Sequence, residues 1–90
     1  MDYTIAVFNS RFSTLNFANL LRQQNIPTAI INTPQSISRA CGISVKFLSD
    51  FFLTAQKMLI ARNLQSNFVG FFVLTNQNGR QILRQILRQI

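Results

Sequence analysis

The chain has 90 residues and a net charge of +7, since nine Lys and Arg face only two acids; it has one Cys and no His. This composition excludes Ser-His-Asp catalysis, a His-liganded metal and an internal disulfide, and it makes a catalytic carboxylate pair unexpected. At this length we expect a single core, with one domain over residues 1–76 and a linker and tail over residues 77–90.

The first half of the chain is predicted to form a strand, a helix and a second strand. Residues 3–8 alternate as a strand does, and Ser10 is predicted to cap a helix over residues 11–24. A proline follows that helix, and residues 28–32 are predicted to form the second strand. Residues 34–42 are too small and polar for a core element, so we expect a structured loop there.

The second half is predicted to contain a strand over residues 43–47, a helix from Ser49 to about Arg62 and a strand over residues 67–75. Ser49 and Asp50 are predicted to cap the helix. In the strand over residues 43–47 the inward side chains are expected to be Ile43, Val45 and Phe47, and the outward ones Ser44 and Lys46.

Residues 80–90 repeat Arg-Gln-Ile-Leu with a period of four. At about 100° per residue the arginines share one arc and the Ile and Leu residues fill the opposite side. This pattern predicts a short amphipathic C-terminal helix. Isolated helices below about 12–15 residues are marginal, so we expect it to pack on the domain or on a second copy.

The order β-α-β-β-α-β favours an α+β ferredoxin-like two-layer sandwich, with an antiparallel sheet and both helices on one face. The other sheet face is expected to be open. Phe8 would lie on it with apolar side chains of the last strand, which are either Phe68 and Phe72 or Val69, Phe71 and Val73. A homodimer through this open face is expected, because exposed apolar patches of this size usually mark interfaces.

Cys41 is the only candidate nucleophile. Arg39 and Lys46 are near it in sequence and would favour its thiolate, Ser38 offers a hydroxyl, and Gly42 permits close approach of a ligand. These residues describe a small loop that could hold an anion beside a soft nucleophile. The alternative is a buried and inert Cys at the start of a strand.

The segment Ile37-Ser38-Arg39-Ala40-Cys41-Gly42, leading into a strand with a basic residue, resembles the signature of a family of small bacterial proteins named as selenium/sulfur (Se/S) carrier-like. The resemblance covers residues 3–75. It implies that Cys41 carries sulfur or selenium as a persulfide or selenosulfide, without enzymatic turnover. Ser38, Arg39, Gly42 and Lys46 would then orient the cargo. Gln35 stands where the family pattern has an Arg, and Arg39 could supply the missing positive charge.

That interpretation implies donor and acceptor proteins as partners and no cofactor or metal. With no signal segment and no apolar run of about 20 residues, we expect a cytoplasmic protein without a membrane partner. Two alternatives remain open: a small basic RNA- or nucleic-acid-binding domain that uses sheet aromatics, and a purely structural dimerisation module. In every case the charge predicts weak, non-specific binding of polyanions.

Overall fold

A computed structural model describes residues 2–86, which form an antiparallel sheet of five strands with two α-helices. The strands are β1 (Tyr3–Phe8), β2 (Ala29–Asn32), β3 (Ile43–Leu48), β4 (Phe68–Gln77) and β5 (Arg80–Gln85), and the helices are α1 (Arg11–Gln23) and α2 (Phe52–Ala61). The spatial order is β2-β3-β1-β4-β5, and every neighbouring pair is antiparallel. The predicted mixture of a sheet with two helices is confirmed.

The predicted C-terminal helix is wrong, because residues 80–85 form β5 and pair with β4. Asn78 and Gly79 have φ values of 51° and 78°. Positive φ at both central residues is typical of the two-residue turn that joins antiparallel strands. Pairing with the free edge of β4 therefore accounts for the strand conformation of residues 80–85. Residues 87–90, which the prediction also covered, lie outside the described part of the chain.

One sheet face carries both helices. Ser10 caps α1 as predicted, since its hydroxyl accepts a hydrogen bond from the Ser13 N–H at 3.2 Å. The cap starts α1 beside the end of β1, and the apolar side of the helix then packs on the sheet. The side chains buried on this face come from the sheet and from both helices, and include Ala6, Phe8, Phe17, Leu21, Val45, Phe47, Ala55, Leu59 and Phe71.

The opposite sheet face, which was predicted to be open, is covered. It carries a second cluster of Ile5, Val7, Phe72 and Leu74, against which side chains of the loop over residues 34–42 pack, together with Leu83 of β5. Phe72 is only 9% exposed. The loop could bury this face because two of its residues, Ile37 and Ala40, are apolar.

Phe8 lies on the helix side and not on the face that was predicted to be open. The register of β1 with β4 shifts between Val7 and Phe8, where Phe8 pairs with Phe68 and Val7 with Gly70. Because this bulge inserts one residue, Phe68 and Phe71 both reach the helix side. Strict alternation along the last strand could not give that arrangement.

Two smaller predictions are also corrected. Ser44 is fully buried although it was predicted to point outward. The predicted cap of α2 is replaced by a 3-10 turn over Ser49–Phe51 with no capping side-chain hydrogen bond. The Ser49 hydroxyl instead contacts the buried Thr4 hydroxyl at 2.7 Å, and this contact ties the turn to β1.

Candidate functional site

Cys41 is the penultimate residue of the loop over residues 34–42, and a backbone hydrogen bond holds it at the end of β1. The Cys41 N–H donates to the Phe8 carbonyl oxygen at 3.0 Å. The chain leaves β1 here and turns through Ser10 into α1. Cys41 therefore lies beside the first turns of α1, where it is partly exposed.

The Cys41 sulfur has two polar contacts. Its thiol donates to the Ile43 carbonyl oxygen at 3.1 Å, and the Thr14 hydroxyl oxygen lies 3.3 Å from Sγ. Thr14 is fully buried, and its hydroxyl also donates to the Ser10 carbonyl oxygen at 3.0 Å. The hydroxyl has one proton, so it bonds either to the Ser10 carbonyl or to an anionic sulfur.

Thr14 is a site residue that sequence reasoning missed. It is 27 residues from Cys41 along the chain, and a Thr inside a helix normally indicates nothing beyond a polar position. Its complete burial follows from the packing of α1 against the sheet, which the sequence does not specify residue by residue. The helical period alone could not distinguish this buried Thr from a solvent-facing one.

A second threonine supports the backbone of the site. The Thr33 hydroxyl donates to the Cys41 carbonyl oxygen at 2.9 Å and lies 2.6 Å from the Ser44 hydroxyl oxygen. The Thr33 N–H donates to the Gly42 carbonyl oxygen at 3.0 Å. These bonds fix the carbonyl groups of Cys41 and Gly42. The contact with Thr33 also gives the buried Ser44 hydroxyl a hydrogen-bond partner.

Lys46 lies at the other end of the sheet from Cys41. Its ammonium stands over the Tyr3 ring, 4.3 Å from the centroid, and β3 pairs there with the beginning of β1. The Cys41 N–H bonds to Phe8, whereas Lys46 pairs with Ile5. These two positions are three residues apart along β1, which corresponds to about 10 Å. The structure does not bring this cation to the sulfur.

Ser38 and Arg39 lie together, on the face of the sheet opposite α1. With Ser36, Ile37, Val69, Phe72 and Gln85 they line a groove of about 230 Å³. Arg39 has a φ of 61°, in the left-handed region. Cys41 Sγ contacts Thr14 on the α1 side, so the loop presents its thiol and its arginine on different sides.

Gly42 is exposed, and a Cβ added to it would meet no atom within 4 Å apart from its own chain neighbours. Residues distant in sequence therefore do not crowd this position. Within residues 2–86 no group of three or more His, Cys, Asp and Glu side chains could hold a metal ion. In the same part of the chain, none of the helices has the length and apolar character that crossing a membrane requires.

Comparison with curated proteins gives no match, and comparison with solved structures gives none either. A protein-family model, in contrast, matches residues 2–68, which run from the residue before β1 to the first residue of β4. The match includes Cys41 and Thr14 and leaves out the rest of β4 and all of β5. On this match, the chain belongs to the family described as "Putative Se/S carrier protein-like".

Proposed function

We propose that this protein carries a single sulfur or selenium atom on Cys41, as a persulfide or selenosulfide, and has no turnover of its own. The observation that carries the proposal is the position of the Cys41 sulfur. It is partly exposed at the end of β1, and a buried hydroxyl that can donate to an anionic sulfur lies 3.3 Å away. Membership of the family supports the same conclusion.

The chemistry needs only a thiol exchange. The Cys41 thiolate attacks the terminal sulfur of a donor persulfide, R–S–SH, and the donor S–S bond breaks. The donor leaves as a thiolate with the bonding electron pair, and Cys41 becomes a persulfide. An acceptor nucleophile then attacks the terminal sulfur and releases the Cys41 thiolate. No external oxidant or reductant is consumed. A selenium donor, R–S–SeH, reacts in the same way.

Thr14 supplies a hydrogen bond to the anionic states in this cycle. In the resting thiol, the proton of Sγ is donated to the Ile43 carbonyl oxygen. When Sγ is an anion, the Thr14 hydroxyl rotates from the Ser10 carbonyl toward the sulfur. The Ser10 carbonyl still accepts the Thr14 N–H at 3.1 Å, so the rotation does not leave that carbonyl unpaired.

The other four proposed site residues have separate roles. Gly42 is exposed next to Cys41 and places no side chain there, which leaves room for an approaching donor or acceptor. Ser38 and Arg39 lie on the far side of the loop, where they are suited to contact a donor or acceptor protein rather than the sulfur. Lys46, at the other end of β3, contributes only to the overall positive field.

We also infer that the first four strands and two helices form a ferredoxin-like unit. The observed order β2-β3-β1-β4, with antiparallel neighbours, supports this inference. In that interpretation β5 is an addition at one edge of the unit, and it lies beyond the residues that the family model matches.

The nucleic-acid alternative gains no support from the geometry. Stacking of bases needs aromatic rings on an exposed sheet face, whereas Phe71 is 2% exposed and Phe72 is 9% exposed. Oligonucleotide binding at physiological salt that was lost in Phe72→Leu would restore this alternative. We expect binding only at low salt, in proportion to net charge.

The proposal is tested by loading the reduced protein with glutathione persulfide and measuring its intact mass. We expect a gain of one sulfur atom that dithiothreitol removes. Cold cyanolysis of the loaded protein should release one equivalent of thiocyanate, since cyanide attacks the terminal sulfur. Cys41→Ser is the control and should show neither. A wild-type protein that remains unloaded would contradict the proposal.

A further inference from the structure

The two edges of the sheet, among residues 2–86, are β2 and β5. In an antiparallel ladder the hydrogen-bonded and non-hydrogen-bonded pairs alternate. The Thr33 N–H donates to the Gly42 carbonyl, so that pair is hydrogen-bonded. The next pair, Asn32 with Ile43, is then non-hydrogen-bonded, and so is Ile30 with Val45. The N–H and C=O groups of Ile30 and Asn32 therefore point away from β3.

The same reasoning applies to β5. The Ile86 N–H donates to the Phe71 carbonyl at 2.9 Å, so the alternation along the register leaves the backbone groups of Gln81, Leu83 and Gln85 pointing away from β4. Both edges thus present outward donors and acceptors. Unpaired groups of this kind are a template for pairing with another strand.

Charge distinguishes the two edges. β5 carries Arg80 and Arg84, and both are exposed. Charged side chains on an edge strand oppose edge-to-edge pairing. Residues 23–38, which contain β2 and the segments on both sides of it, include no charged residue. The nearest cation in register is Lys46 on the neighbouring strand β3, opposite Ala29, whereas β5 carries its two arginines on the edge strand itself. In a chain with a net charge of +7, a second positively charged molecule therefore meets less repulsion at β2 than at β5.

We propose that β2 is a self-association edge at which a second copy of this chain pairs antiparallel. A two-fold axis at Ile31 places Ile30 opposite the partner's Asn32. Their outward N–H and C=O groups then exchange both hydrogen bonds, and symmetry repeats the exchange. The product is one continuous sheet across two molecules.

The sequence on either side of β2 limits this pairing to a short segment. In the same register Thr28 falls opposite the partner's Pro34, which has no N–H to donate. Ile31 faces its own symmetry mate on the sheet face that the loop over residues 34–42 covers. Ile30, on the other face, is 36% exposed and loses solvent contact in the pair. A second copy suits this edge because the strand is its own complement in this register, with the outward groups of Ile30 and Asn32 satisfied in both copies.

The test uses proline at outward positions. Ile30→Pro removes a donor that points away from β3 and leaves the β2–β3 hydrogen bonds in place, whereas Gln81→Pro is the matched change on the β5 edge. Sedimentation velocity over a range of concentrations should show a monomer–dimer equilibrium for the wild type. Ile30→Pro should weaken the dimer by on the order of tenfold or more, because one hydrogen bond is lost from each copy. Gln81→Pro should leave the dimer unchanged.

Far-UV circular dichroism verifies that both variants are folded. If Ile30→Pro is not folded, Asn32→Lys replaces it, since Asn32 is exposed and the new charge would lie near its symmetry mate. Amide exchange provides an independent readout, because the N–H groups of Ile30 and Asn32 should gain protection as concentration rises. A wild-type protein that is monomeric at all concentrations, or a dimer that Gln81→Pro disrupts and Ile30→Pro does not, would overturn the proposal.

Discussion

Replacing Thr14 with valine removes one buried hydroxyl and preserves the shape of the side chain. The hydroxyl donates to the Ser10 carbonyl at 3.0 Å, but that carbonyl also accepts the Thr14 N–H, so no backbone acceptor loses its last partner. We therefore expect a loss of about 1 kcal/mol in the free energy of unfolding. In a domain of this size, that loss lowers Tm by about 4–8 °C.

The same substitution should slow the reaction of Cys41 with iodoacetamide. An anionic sulfur gains a charge-assisted hydrogen bond from Thr14, worth about 1.5–3 kcal/mol, and the hydroxyl gives up a neutral bond worth about 0.5–1.5 kcal/mol. The net difference of about 1 kcal/mol makes the anionic sulfur about fivefold less favourable in Thr14→Val. A sulfur anion without this hydrogen bond is also more nucleophilic, with a Brønsted coefficient of about 0.4–0.5, so we expect the rate to fall about two- to threefold. The measurement is pseudo-first-order alkylation of the native protein at fixed pH.

Thr33→Val is the matched control for this experiment. It also removes a threonine hydroxyl next to Cys41, but that hydroxyl contacts the Cys41 carbonyl and Ser44 rather than the sulfur. It should destabilise the fold by about 1–3 kcal/mol, since Ser44 is left buried without the partner that the structure gives it. Its alkylation rate should stay close to wild type. A Thr14→Val protein that reacts as fast as Thr33→Val would refute the role given to Thr14.

Three further predictions concern the fold. Phe71→Ala should lower the free energy of unfolding, measured in urea, by about 3–5 kcal/mol. The Phe71 ring is 2% exposed and its centroid lies 4.8–6.4 Å from those of three other phenylalanine rings. A loss below about 1 kcal/mol would contradict this packing. Gly79→Ala should lower the free energy of unfolding by about 1 kcal/mol, because Gly79 has a φ of 78°. Gly42→Ala is the control and should change that free energy by less than about 0.5 kcal/mol. Deleting residues 80–90 should lower Tm, since β5 pairs with β4 and Leu83 packs on the second cluster; an unchanged Tm would show that β5 adds nothing.

The strands and helices up to residue 75 were predictable because each has its own local signal, although β4 continues two residues further, to Gln77. Alternation marked β1 and β3, and Ser10 marked the start of α1. The repeat over residues 80–90 was different, because its period of four fits a helix while the Asn78-Gly79 pair before it is a hairpin signal. Pairing with β4 outweighed the helical pattern, since a strand on an existing edge gains a full ladder of hydrogen bonds.

The identity of the candidate thiol was predictable and its surroundings were not. Cys41 is the one cysteine in the chain, so the composition points to it. Lys46 was placed near it by counting residues, but β3 carries Lys46 to Ile5, three residues along β1 from the Phe8 position that Cys41 contacts. Thr14 and Thr33 reach Cys41 only through the packing of α1 and the pairing of β2 with β3. Contacts of that kind depend on tertiary structure and have no local sequence signal.

The most direct test of the carrier function is the intact mass of the protein as it is isolated from cells without reductant. The account predicts a fraction of molecules that carry one additional sulfur or selenium atom, lost on treatment with dithiothreitol and located at Cys41 by peptide mapping. The Cys41→Ser variant, isolated in parallel, should show only the unmodified mass. A wild-type protein that is unmodified under these conditions, and that also fails to load from a donor persulfide, would contradict the account.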